Sequence, residues 1–151
     1  MSTPGGTDDA KRIAIDLIDA YAGRERQSLD TAIAVIVEGG HTEAVTSELK
    51  VFASFLTRRV QETGVVWKPA DSREAVARAV ADLLEPEVEF AVVTAWEAYS
   101  LGEHEIAERF SQGDPLIFVH MLAAFAAAIG RAIYSRAELV STLRIASGIS
   151  E

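Results

Sequence analysis

The sequence predicts an all-α fold, a single-domain bundle of six to eight helices built around an apolar, two-faced helix near residues 115–134. Three observations carry this. Apolar residues recur at helical spacing along nearly the whole chain. Glycine and proline stop signals cut that pattern into helix-sized pieces. No fixed-period repeat and no long linker divides it, so residues 8–147 read as one domain, with a flexible start at 1–7 and a frayed end at 148–151.

The elements follow in order. Thr7 or Asp8 is placed to cap a first helix whose inner face is Ile13, Ala14, Leu17, Ile18 and Tyr21, with Gly23 ending it. A second helix is expected from Ser28 to the Glu38–Gly40 stop, with Leu29, Ala32, Ile33, Ile36 and Val37 as its stripe; its Ala32–Val37 run has the composition of a strand as well. The third is the clearest: Thr42 caps, Gly64 follows, and Val45, Leu49, Phe52, Ala53, Leu56 and Val60 face inward. On its remaining surface lie Glu48, Lys50, Arg58, Arg59 and Gln61.

After the extended segment at 64–71, Asp71 and Glu74 form a capping pair for a fourth helix lined by Val76, Val80, Leu83 and Leu84. Pro86 ends it and opens a fifth. There Val88, Val92, Ala95, Trp96 and Tyr99 share one side while Phe90 and Val93 lie off it, a two-sided pattern that suggests a central position. A short sixth helix carries Ile106, Ala107 and Phe110. Asp114 and Pro115 start the seventh, and Ser135 with Glu138 form a capping box that makes a break near Tyr134 as plausible as continuation. Leu139, Val140 and Leu143 are the last apolar set.

The seventh helix decides what the chain can do. No charged residue occurs between Pro115 and Gly130, yet the run is shorter than the roughly 20 residues a bilayer demands, is interrupted by His120 and is closed by Arg131. A buried helix is therefore expected, and not a membrane span. At about 100° per residue, Phe118, Leu122, Phe125, Ile129 and Ile133 fall on one side. His120, Ala123, Ala124, Ala127 and Arg131 fall on the other. The bulky side suits a core; the small side lets a second helix come close, from the same chain or from a second copy.

Composition narrows the partners. With 14 basic and 23 acidic residues the net charge is −9, which repels a phosphate backbone, so nucleic acid is not an expected partner. Cysteine is absent, which removes disulfides and sulfur-based zinc sites and suits a reducing cytoplasm. The first residues lack the basic and apolar regions of a secretory signal. Only three of the fourteen basic residues are lysine, a bias typical of bacterial genomes rich in G and C.

Candidate sites each have a plain structural reading. His120 with Arg131 suits anion binding or general-base chemistry, but no second catalytic residue stands at a fixed spacing, so a hydrogen-bonded core histidine is the simpler assignment. His104 and Glu108, flanked by Glu103 and Glu105, lack the repeated Glu-x-x-His pattern of carboxylate-bridged metal bundles; the lone instance, Glu38–His41, sits on two glycines at a helix end. Glu85, Glu87 and Glu89 complement the positive end of the fifth helix. Trp67, Trp96 and Tyr99 have the composition of a pocket wall and equally of a core. No phosphate loop or nucleophile elbow is present.

No catalytic residue, metal or cofactor is assigned on this reading. The expected function is association, most simply as a homodimer through the alanine-rich face of the seventh helix. An apolar small-molecule pocket between helices is the alternative, and a hydrolase-type enzyme using His120 with a carboxylate the third. The residues singled out for interface or pocket are His120, Ala123, Ala124, Ala127, Arg131, Trp67, Trp96 and Tyr99.

Overall fold

The computed structural model describes residues 4–65, 68–112 and 114–148, and among these residues it is all-helical. Eight helices follow one another: α1 (Pro4–Gly23), α2 (Arg26–Gly39), α3 (Thr42–Glu62), α4 (Pro69–Val80), α5 (Pro86–Ser100), α6 (His104–Gln112), α7 (Leu116–Arg131) and α8 (Arg136–Ser147). The Ala32–Val37 run is helical, because Ala32 and Ile36, one turn apart, both enter the core beside Leu29.

The boundaries shift where local chemistry competes. Helix α1 begins at Pro4, inside the stretch 1–7 expected to be flexible and ahead of Thr7 and Asp8; proline fits a first turn because it has no N–H to leave unpaired. Helix α2 begins at Arg26 and not at Ser28. At α4, Asp71 works from the third helical position, its carboxylate accepting the Lys68 backbone N–H at 3.1 Å, and Pro69 opens the helix. Glu74 pairs instead with Arg78.

Helix α4 ends at Val80, before Leu83 and Leu84. Asp82 takes a left-handed φ of 65°, tolerable for aspartate, and the turn still delivers Leu83 to the core. A long-range cap fixes this end: the Arg24 guanidinium donates to the carbonyls of Arg78 and Ala81 at 2.6 Å each. The alternative at Tyr134 resolves as a break. The Ser135 hydroxyl accepts the Glu138 N–H at 3.2 Å, and the Glu138 carboxylate accepts the Ser135 N–H at 2.8 Å. These bonds hold the Glu138 carboxyl below its ordinary range.

The centre of the bundle is α7. It packs against α1, α3, α4 and α5, with α3 its most extensive neighbour, and also touches α6 and α8. Twelve of its residues are buried, from Ile117 to Gly130, on both the bulky and the small side. Helix α5 is not central, despite its two-sided pattern: Phe90 is 71% exposed. Its inner stripe, Val92, Ala95 and Trp96, packs inward and the opposite side faces solvent. No single helix among the described residues is long and apolar enough to cross a membrane; α7 and α8 approach that composition only as a pair bent by 114°.

Helix α8 is tied to the start of the chain. Arg136 donates from Nε to Asp19 and from Nη2 to Glu25, both at 2.7 Å, and the pairing lowers the Glu25 carboxyl. Its guanidinium lies over Gly23, where a Cβ would stand 2.2 Å from Cζ.

Candidate functional site

The small side of α7 has its partner within the chain. Ala123 and Ala124 are fully enclosed and Ala127 is 2% exposed. His120 meets Tyr21 of α1, and Ala127 and Ala128 share the lining of a surface depression with Ala75 and Ala79 of α4. Alanine facing alanine permits this close approach of α4 to α7. Ala123 and Ala124 are thus close-packed core, while Ala127 sits at the border of the depression. Arg131 and Ala132 stay exposed at the outer end of the face.

His120 is a core histidine. Its Nδ1 and the Tyr21 hydroxyl share a 2.7 Å hydrogen bond, and the rings meet edge-on with centroids 6.2 Å apart. Burial drives the imidazole down to about 4, against a weaker upward pull from Asp114 and Asp30, and pushes the Tyr21 hydroxyl up. A general base must come within hydrogen-bond reach of a substrate proton, and a hydrolase-type pair would set a carboxylate beside it in an open cleft. His120 has a phenol in a closed one, so the hydrolase reading loses its support.

The histidine at the start of α6 is also accounted for. His104 packs edge-on against Tyr99 at 4.8 Å, and no group of three potential metal ligands comes together among the described residues. Glu85 precedes Pro86 at the start of α5 while Glu87 and Glu89 occupy its first turn, as their charge and the helix dipole require.

Trp96 and Tyr99, by contrast, come together in a groove. A cavity of about 390 Å³ opens between α3, α5 and α7. Trp96 and Tyr99 from α5 and Leu122 and Phe125 from the bulky side of α7 make its apolar floor. The Trp96 indole stacks with two rings, Phe125 at 4.3 Å and 24° and Tyr99 at 5.8 Å and 27°. Phe118 meets Tyr99 edge-on at 6.1 Å and braces the stack. These rings form a flat, rigid wall.

Helix α3 supplies the other wall, and it is polar: Lys50, Ser54, Thr57, Arg58 and Gln61 line the groove above Ala53. Positions 50, 54, 58 and 61 are one turn apart, so they form one stripe beside the core stripe. Thr57 donates to its own helix at the Ala53 carbonyl. Lys50, Ser54 and Arg58 have no ion pair or hydrogen bond among the described residues.

One buried polar atom stands out here. The Trp96 Nε1 is enclosed and has no hydrogen-bond partner among the described residues. Leaving such a donor unpaired costs about 1–3 kcal/mol, and groups of this kind call for an explanation of their own.

The eight residues singled out from sequence thus divide into separate places. Trp96 and Tyr99 line the groove, His120 pairs with Tyr21, and Ala127 and Arg131 border the α1–α4 depression. Ala123 and Ala124 are core, and Trp67 lies outside the described residues. Sequence reasoning missed Lys50, Ser54, Arg58, Leu122 and Phe125 as groove residues. The four-residue spacing of Lys50, Ser54 and Arg58 was the available signal. Comparison with protein-family models, with curated proteins and with solved structures finds no match.

Proposed function

We propose that this chain is a small-molecule-binding helical domain whose ligand site is the groove between α3, α5 and α7. The observation that carries the reading is the pairing of a stacked aromatic floor with a polar wall on which Lys50, Ser54 and Arg58 have no partner among the described residues. Small-molecule sites have this composition and this scale, a mostly apolar surface with a few placed polar groups in roughly 300–1,000 Å³. The cysteine-free, arginine-rich composition fits a bacterial cytoplasmic setting for this role.

Binding stabilises the folded state in proportion to the logarithm of ligand concentration over Kd. A panel of small aromatic and aliphatic compounds is therefore expected to contain members that raise the melting temperature of the wild-type protein. The same members should lose that effect in Trp96→Ala, once its lower intrinsic stability is subtracted. A panel with no stabilising member counts against the reading.

Self-association is a second reading, and one feature favours it. The depression between α1, α4 and α7 is floored by Ala75, Ala79, Ala128 and Ala132 and bordered by Arg24, Arg78 and Arg131, three cations on a chain of net charge −9. A small-residue floor with a basic border fits an acidic helix of a second copy. Light scattering after size exclusion decides it. A dimer at tens of micromolar that dissociates in high salt supports this reading, and a monomer throughout excludes it.

A further inference from the structure

Two features of the groove together narrow the chemistry of its occupant: it is polarised across its width, and the polar wall is a cationic one. Lys50 and Arg58 stand two turns apart on α3, about 12 Å along the axis, with Ser54 one turn from each. Both are exposed and unpaired among the described residues, and so is the Ser54 hydroxyl. In a protein with nine more acidic than basic residues, six of the eleven arginines sit within ion-pair distance of a carboxylate: Arg12, Arg26, Arg59, Arg73, Arg78 and Arg136. The groove wall keeps two cations that do not.

From this juxtaposition we infer that the groove binds aromatic carboxylates, with the ring system against Trp96, Tyr99 and Phe125 and the carboxylate held by Lys50, Ser54 and Arg58. This deepens the small-molecule reading above and rests on it. A flat ring suits a floor of near-parallel indole and phenyl rings better than a flexible chain does. Lys50 and Arg58 flank Ser54 on the same stripe of α3, so both charges border the groove. The planar guanidinium matches a carboxylate with two parallel hydrogen bonds, and the serine hydroxyl donates a further one. Beside an apolar floor, water is partly displaced and these charge-assisted bonds gain strength. A neutral analogue keeps the stacking and loses the attraction between charges.

Isothermal titration of the full chain with 2-naphthoate and with 2-naphthamide tests this. The two probes share a ring system and differ in charge. The expected result is at least about tenfold tighter binding of the acid at low salt, the scale of one or two charge-assisted hydrogen bonds. That preference should shrink as ionic strength rises. In Lys50→Gln/Arg58→Gln the preference for the acid over the amide should disappear. Both replaced side chains are exposed, so the variant should keep the wild-type melting temperature, and Ser54→Ala offers a milder probe of the same wall.

Equal binding of acid and amide overturns the carboxylate assignment and leaves the groove reading standing. An acid preference that survives Lys50→Gln/Arg58→Gln also overturns it, because the charge is then recognised elsewhere. Failure of both probes to bind overturns the carboxylate assignment too. If Trp96→Ala abolishes binding of neither probe, the groove reading itself falls.

Discussion

Replacing Gly130 with valine is expected to destabilise the protein by about 3 kcal/mol or more, and replacing it with alanine by about 1–2 kcal/mol. The reason is the approach of α8 to α7. A Cβ at Gly130 would stand 2.5 Å from Leu139 Cδ1, 3.0 Å from Cδ2 and 3.3 Å from Cγ. Leu139 is fully buried, so it has no solvent to swing into. In an open helix, alanine would gain about 1 kcal/mol over glycine, and that gain is what keeps the alanine variant from being worse. Valine adds two methyls to a space that has none to give.

A double-mutant cycle makes the argument specific. Leu139→Ala alone should cost about 2–5 kcal/mol, as a leucine truncated in a closed core does. Combined with Gly130→Ala, it should cost clearly less than the sum, because the new methyl occupies part of the space the leucine leaves. Urea denaturation of the four proteins measures this. A Gly130→Ala protein more stable than wild type would show that the two helices are not in the tight contact described.

The second large effect is a pH dependence centred on His120. The unfolded imidazole titrates near its ordinary 6.5 while burial holds the folded one at about 4. Between those values the unfolded chain binds a proton that the folded protein does not. Stability is then full above pH 6.5 and is lost as pH falls toward 4, by about 3 kcal/mol in all. In His120→Asn the amide oxygen is placed to accept the Tyr21 hydroxyl and position 120 no longer titrates, so the slope should flatten. Asp16, pushed up by its own burial and by Asp19, works in the opposite sense, and it is common to both proteins. Tyr21→Phe should cost about 1–3 kcal/mol at neutral pH, since it leaves the buried Nδ1 without its partner. Parallel slopes for wild type and His120→Asn between pH 4 and 6.5 would refute the assignment of His120 as a histidine kept neutral by burial.

How far the sequence carried this architecture varies with the kind of interaction involved. Local signals were readable. The Ser135–Glu138 box, Pro86, Gly40 and the inner stripe of α3 act within a few residues of themselves, and the helices begin or end at or next to them. Long-range partners were not. The end of α4 depends on Arg24 in another helix, so Leu83 and Leu84 looked like a continuation of its stripe. The α5 pattern looked two-sided because Phe90 is apolar, and only the position of α7 shows that this side faces outward.

The same distinction holds for the candidate site. The two sides of α7 were visible from spacing alone, and so was the question of what meets the alanines. Helices α1 and α4 meet them, which no angular count could reveal. Lys50, Ser54 and Arg58 looked like ordinary solvated surface because their meaning lies across the groove, in the rings of α5 and α7. Trp96 and Tyr99 were identified as wall candidates by residue type, but their stacking on Phe125 required the packed bundle.

The most direct test of the groove as the working surface is nuclear magnetic resonance of the 15N-labelled chain carrying Trp67→Phe, which leaves the Trp96 indole N–H as a single resolved signal. Titrated with 2-naphthoate, that signal is expected to move in a saturable way, together with the amides of Ser54, Thr57 and Arg58, while those of Ala22 and Ala75 beside the α1–α4 depression stay in place. An indole signal that does not move at millimolar probe, or shifts confined to that depression, would contradict the account.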